Sequence, residues 1–228
     1  MMDIGLLLFP ELTLLDLVGP REVFLGVPDA KVHLIWKNRE LVPVGHGHVM
    51  QPTMTFDECP QLDVLCVPGG ASVNVLMEDE ETLLFLQNQA MKARWVTSVC
   101  TGSLVLAAAG LLTGYRAASH WASLDQLALF RAIPVNERVV IDRNRATGGG
   151  VTAGIDFALR LVAEIHSEDM AKAIQLRMEY DPHPPFIGGS PRLAEPELVA
   201  RVKQNMEAFL AKRRAVSERV AAKLRSSS

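Results

Sequence analysis

Short apolar runs alternate with amphipathic stretches along most of the chain. Ile4–Phe9, Val32–Trp36, Val64–Val67, Trp95–Val99, Arg116–Ala118 and Val139–Asp142 read as strands, several of them apolar on both faces. Helical patterns fall between them, at Pro20–Leu25, Glu80–Lys92, Thr101–Ala109, Trp121–Phe130, Thr152–Ile165 and Glu168–Arg177. Pro20 suits a first helical position, and Gly110 is a helix stop. Leu41–Met54 carries the signature of a small hairpin, and Thr147–Gly150 that of a tight loop. Proline and glycine interrupt Asp181–Pro191 too often for regular structure, and Glu195–Leu224 reads as one long helix.

Strands alternating with helices predict a doubly wound α/β fold, with a mostly parallel sheet sandwiched by helices. Residues 1–190 form this domain in that reading, and 191–228 a C-terminal helical extension. In such sheets the ligand crevice lies beyond the carboxyl ends of the strands.

Composition narrows the classes. With 228 residues, 49% hydrophobic, a sizeable core is assured. The net charge of −3 argues against a nucleic-acid partner. The N-terminus is apolar but carries Asp3, Glu11 and Asp16, so neither a signal peptide nor a membrane span is expected there. Three cysteines without a CxxC pair exclude a disulfide framework and a cysteine zinc site, and fit a cytoplasmic setting.

Chemistry gathers at strand ends. Trp95–Val99 runs into Cys100-Thr101-Gly102-Ser103, the layout of a nucleophile elbow without its G-x-S-x-G pattern. The following helix would present its N-terminus to the thiol and favour thiolate; alternatively Cys100 is a small buried hydrophobe. Gly69 and Gly70, after Val64–Val67, could offer N–H groups as an oxyanion-type cradle, or simply make a turn. Asp16 is a lone carboxylate in an apolar stretch, suited either to capping a helix at Pro20 or to a raised pKa and proton transfer. His120 is a pocket candidate or a structural hydrogen-bonder. Gly148–Gly150 and Val151 are candidates to line the site through backbone groups, or they serve close helix packing. Cys66 reads as core, Cys59 as a bystander, His46 and His48 as an exposed loop rather than a metal site, and Lys212–Arg214 as a solvated face.

The segments LTLLDLVGPREVF, DVLCVPGG, VTSVCTGSLVLAAAGLL, ASHW and TGGGVTAGIDFALRLV together resemble the ThiJ/PfpI superfamily, with its class I glutamine-amidotransferase-like, flavodoxin-like fold. Within it, Asp16 in place of the more usual Glu, Thr101 in place of His, and EYDPHPPFIGGSP resemble the isocyanide hydratases. The missing His after Cys100 removes the imidazole that would activate a thiol for peptidase work. The resemblance implies a homodimer without metal or cofactor that hydrates a small-molecule isonitrile. Cys100 would be the nucleophile, Asp16 the acid and base, and Thr101 would orient the carboxyl, with Gly69, Gly70, Val151 and His120 around the substrate. Two alternatives remain in view, a redox sensor built on Cys100 and a regulator's sensory domain. The latter is expected to need roughly a hundred further residues for DNA binding.

Overall fold

The computed structural model describes residues 1–226. In chain order the elements are β1 Met2–Leu7, α1 Leu14–Phe24, β2 Ala30–Trp36, β3 Val42–Gly45, β4 His48–Met50, β5 Met54–Thr55, β6 Val64–Val67, α2 Val73–Leu76 and α3 Glu80–Ala90. They continue with β7 Trp95–Val99, α4 Gly102–Ala108, β8 Arg116–Ala117, a 3₁₀ helix Trp121–Phe130, β9 Ile133–Pro134, β10 Val139–Asp142 and β11 Arg145–Gly148. The helices α5 Ala153–Ile165, α6 Glu168–Arg177, α7 Pro196–Asn205 and α8 Glu207–Ser226 complete the chain.

Seven strands form the main sheet in the order β10-β11-β7-β6-β1-β2-β5, parallel throughout except for the β10–β11 pair. The fold is thus the doubly wound α/β sandwich the pattern predicts. Its central strands are buried on both faces because helices cover both, which is why β6 is a pure run of Val64, Leu65, Cys66 and Val67. The chain leaves β1 for β2 on one side and returns to β6 on the other. The topological switch therefore lies between β1 and β6, beside β7. Helices α1, α5 and α6 pack together on one face, and α2, α3, α4 and α8 on the other.

Local chemistry sets several boundaries. Asp79 accepts from the Thr82 N–H at the start of α3, and Ser167 from the Met170 N–H at the start of α6. The strand-like and helical segments largely fall where expected, including the β3–β4 hairpin. Four expectations change. The first helix begins at Leu14 rather than Pro20, so Asp16 sits inside its first turn instead of capping it. Pro20 is tolerated within α1 at the loss of one N–H, the donor for the Asp16 carbonyl.

The Thr147–Gly150 run is not a loop throughout. Arg145–Gly148 pairs with β7, and a Cβ on Gly148 would come within 3.2 Å of Phe157, so the glycine serves close approach of α5 to the sheet. Trp121–Phe130 is a 3₁₀ rather than an α-helix, so its ten residues span about 20 Å instead of about 15 Å. The long C-terminal helix is two helices, broken at Met206 (φ −100°, ψ −2°). The break lets α8 lie along the 3₁₀ helix and α4, while α7 buries no residue.

The tightest backbone contact in the sheet region joins the ends of β6 and β7. A Cβ added to Gly102 would stand 2.0 Å from the Val67 carbonyl oxygen. Gly102→Ala is therefore expected to cost about 3 kcal/mol or more. Gly189→Ala, whose added Cβ would meet nothing within 4 Å, should unfold near the wild-type temperature. Thermal unfolding of the two variants against the parent checks this.

Candidate active site

β7 delivers Cys100 into a strained turn. Its φ of +56° lies in the left-handed region, which costs a residue with a side chain roughly 1–2 kcal/mol. Four hydrogen bonds hold it there. The Cys100 N–H donates to the carbonyls of Gly148 (3.1 Å) and Gly149 (2.8 Å). Its own carbonyl accepts from the hydroxyls of Ser103 and Ser119, each at 3.1 Å. A strained residue so heavily tethered is the geometry of a nucleophile elbow, reached here without the usual motif.

α1 brings Asp16 to the same place. The carboxyl is fully buried, and Oδ2 accepts from the Gly69 N–H at 3.0 Å. Oδ1 is buried with no hydrogen-bonding partner among the described residues. Burial lifts the Asp16 pKa from the ordinary carboxylate range to about 7, against the lowering effects of the Gly69 N–H and the Cys100 thiol. The Cys100 thiol is raised as well, first by its own burial and then by Asp16. Thr101 lowers it through its main chain and its hydroxyl, but less strongly. The expected thiolate-favouring effect of the following helix is therefore outweighed. The short α4 cannot offset a buried thiol facing a carboxyl. Both acids move in the direction that opposes a double negative charge, so near neutral pH the pair holds at least one proton.

Thr101 follows Cys100 directly. Its hydroxyl accepts from the Gly70 N–H at 3.2 Å. The two glycine N–H groups expected to form a cradle are thus already engaged, one on Asp16 and the other on Thr101. The reason both positions are glycine is steric. A Cβ on Gly69 would lie 2.6 Å from the Thr101 nitrogen and 2.8 Å from Asp16 Oδ2, and one on Gly70 would lie 2.6 Å from the Leu12 Cα.

A cavity of about 690 Å³ opens beside this cluster. Ser119, His120, Trp121 and Gly149–Val151 form one wall, and Phe186–Leu193 of the irregular segment forms another. Val151 and His120 both line this cavity. The Asp181–Pro191 segment, unassigned from sequence, contributes Phe186 and Ile187 to the same space. Cys100 lies behind this lining, joined to it through the Gly149 carbonyl and the Ser119 hydroxyl. His120 also has a structural task. Its Nδ1 accepts from the Ala122 N–H at 3.3 Å at the start of the 3₁₀ helix. Burial, aided by Arg213, holds its pKa below the usual histidine value.

The other candidates fall away from the site. Cys66 is buried in β6, and Cys59 is half-buried beside Gln89. Burial pushes both thiols up to about 12. His46 and His48 lie on the β3–β4 hairpin. Among the described residues no group of three or more His, Cys, Asp or Glu side chains is placed to hold a metal ion.

One residue at the site was missed. Arg213, read from sequence as part of a solvated face, is 3% exposed, and its Nη2 donates to the Gly70 carbonyl at 2.9 Å. The signal was present in the spacing. Arg213, Ser217, Val220 and Ala221 share one face of α8, and all four are buried. The charge run Lys212–Arg214 hid it.

Comparison with known proteins follows the same lines. Over 225 residues the chain is 54% identical to the isonitrile hydratase of Pseudomonas putida, covering 98% of both chains. It is 32% identical to the HTH-type transcriptional regulator GbdR of Pseudomonas aeruginosa, over 90% of this chain but 60% of the regulator. A crystal structure of a ThiJ/PfpI family protein from Pseudomonas syringae superposes with a TM-score of 0.92 at 44% identity, covering 95% of this chain and 90% of that one. No helix among the described residues is long and apolar enough to cross a membrane. Residues 2–164 match the DJ-1/PfpI family, and the chain belongs to it.

Proposed function

We propose that this protein is an isonitrile hydratase, adding water to an isonitrile to give an N-substituted formamide. The observation that carries the reading is the 54% identity to the Pseudomonas putida isonitrile hydratase across 98% of both chains. The buried Asp16–Cys100 pair supports it, because the reaction needs a nucleophile and a proton carrier side by side.

The pair carries the chemistry as follows. The single proton shared by thiol and carboxyl moves to Asp16, leaving a Cys100 thiolate. Sulfur attacks the isonitrile carbon, and Asp16 delivers its proton to that carbon. A thioimidate forms, with the carboxyl now ionised. Asp16 then takes a proton from water as the hydroxyl adds to the carbon, and passes it to nitrogen. Collapse of the tetrahedral adduct breaks the C–S bond. The hydroxyl proton returns to Asp16, formamide leaves and the thiolate is restored. This is nucleophilic catalysis with one carboxyl alternating between acid and base. Thr101 keeps the carboxyl and thiol in register. The cavity lined by His120, Val151 and Phe186 takes the substituent on nitrogen, with Gly69 and Gly70 acting through the side chains they hold. The chemistry asks for no metal or organic cofactor.

The proposal extends to a homodimer in the cytoplasm with a small-molecule isonitrile as its partner and neither nucleic acid nor membrane. A solution mass twice that of one chain checks the dimer. The redox alternative needs oxidation of Cys100 but no turnover, so formamide formation counts against it. A sensory role of the kind suggested by the regulator relatives predicts ligand binding without turnover, so formamide formation separates the two.

Four outcomes are expected. Cys100→Ala should abolish formamide production from an aryl or alkyl isonitrile, measured by chromatography; full retained activity overturns the nucleophile assignment. The pH profile follows from Asp16. Below about 7 both acids are protonated, and above it the pair holds the one proton the mechanism uses. kcat/KM should therefore rise through a midpoint near 7 and level off at higher pH. Asp16→Asn should remove that limb and lower kcat about a hundredfold or more. Asp16→Glu, one methylene longer, should fall between the two in steady-state assays.

A further inference from the structure

Arg213 is the least expected group near the site. It comes from α8, some hundred residues after the elbow, and is a buried cation. Its guanidinium donates from Nε to Asn74 Oδ1 (3.0 Å), from Nη1 to the Ser123 hydroxyl (3.4 Å) and from Nη2 to the Gly70 carbonyl (2.9 Å). It lies 4.5 Å over the Phe209 ring. All of these partners are neutral, and among the described residues no carboxylate forms an ion pair with it. Burying an unpaired guanidinium is costly, and neutral acceptors recover only part of the lost hydration. Burial pulls the Arg213 pKa below its usual value, and Cys100, reached from Arg213 through Gly70 and Thr101, acts in the opposite direction.

The connection is also mechanical. Arg213 holds the Gly70 carbonyl. The Gly70 N–H holds the Thr101 hydroxyl, and the preceding Gly69 N–H holds Asp16. One guanidinium thereby fixes the turn that sets both side chains flanking Cys100.

The titratable groups around the site balance. Asp16 from α1 and Cys100 share a proton and carry one negative charge. His120, ahead of the 3₁₀ helix, is held neutral by burial and by Arg213. Cys66 in β6 feels Asp16 and stays a thiol. With Arg213 positive, the buried cluster is neutral in the state that starts the reaction.

We propose that Arg213 is the buried counter-cation and positioning residue of the Asp16–Cys100 pair, so that the C-terminal helix α8 is part of the active site. The proposal rests on the preceding reading only in taking Cys100 as the nucleophile.

The test reads the thiol directly. Alkylation of Cys100 by iodoacetamide is followed against pH in the full chain, with the modified peptide quantified by mass spectrometry. Arg213→Gln should move the midpoint upward by about one pH unit, while Arg213→Lys, which keeps the charge, should stay within about 0.3 unit of wild type. In isonitrile turnover Arg213→Lys should lose about tenfold in kcat at unchanged KM, because an ammonium cannot hold Gly70, Asn74 and Ser123 together. Folding of each variant is checked by its unfolding transition; if Arg213→Gln does not fold, Arg213→Met replaces it. A folded neutral variant with the wild-type midpoint overturns the counter-cation role. So does a Lys variant whose midpoint rises as far as that of the neutral one. Wild-type kcat in Arg213→Lys overturns the positioning role. If the parent turns over no isonitrile, the proposed function fails while the alkylation measurements still decide the charge effect.

Discussion

Two backbone turns meet at the ends of β6 and β7, and the rest of the site depends on how closely they approach. Gly102 lies against the Val67 carbonyl with no room for a methyl group, and a Cβ on Gly69 would come within 2.6 Å of the Thr101 nitrogen. This contact lets the Gly69 and Gly70 N–H groups reach Asp16 and Thr101 directly. A side chain at any of the three positions would push the turns apart and remove the hydrogen bonds that define the cluster. The strain at Cys100 persists for the same reason. Two N–H···O bonds to the β11 end and two serine hydroxyls over-determine a backbone conformation that an isolated residue would avoid.

Electrostatics follow from that packing. Parallel strands covered on both faces make the strand ends dry, and a dry site penalises every charge placed in it. Asp16 is therefore driven to a pKa of about 7, within reach of neutral pH, although it is a carboxyl with no unusual chemistry of its own. The thiol is driven upward beside it. In the proposed reaction the two act as a pair, because the proton that one gives up the other accepts. The same dryness gives a buried cation on α8 a consequence that it would lack at a solvated surface.

Much of the fold was legible because its causes are local. The strands of a doubly covered sheet announce themselves as unbroken apolar runs, and caps such as Asp79 and Ser167 act over three residues. Cys100, Asp16, Thr101 and the Gly69-Gly70 pair stood out for a related reason, since each follows a strand end. The misreadings arose where one residue type serves two purposes. Pro20 starts many helices but here lies within one that begins at Leu14. The glycines after Thr147 signal a loop, yet Gly148 is a strand residue kept small for Phe157. The basic run Lys212–Arg214 reads as surface, while one of its three members faces inward.

The chain by itself determined the α/β order and marked Cys100, Asp16, Thr101 and the Gly69-Gly70 pair, which the fold brings together at the sheet end, because these signals rest on periodicity and on neighbours a few positions apart. It did not determine what those residues feel. That Asp16 lacks a partner for one oxygen, that the glycine N–H groups are occupied and that Arg213 reaches across from α8 are facts about groups 31 to 143 positions apart. Desolvation and long-range hydrogen bonds exist only once the layers close, so the protonation state of the pair and the membership of the helix in the site were decided by tertiary structure alone.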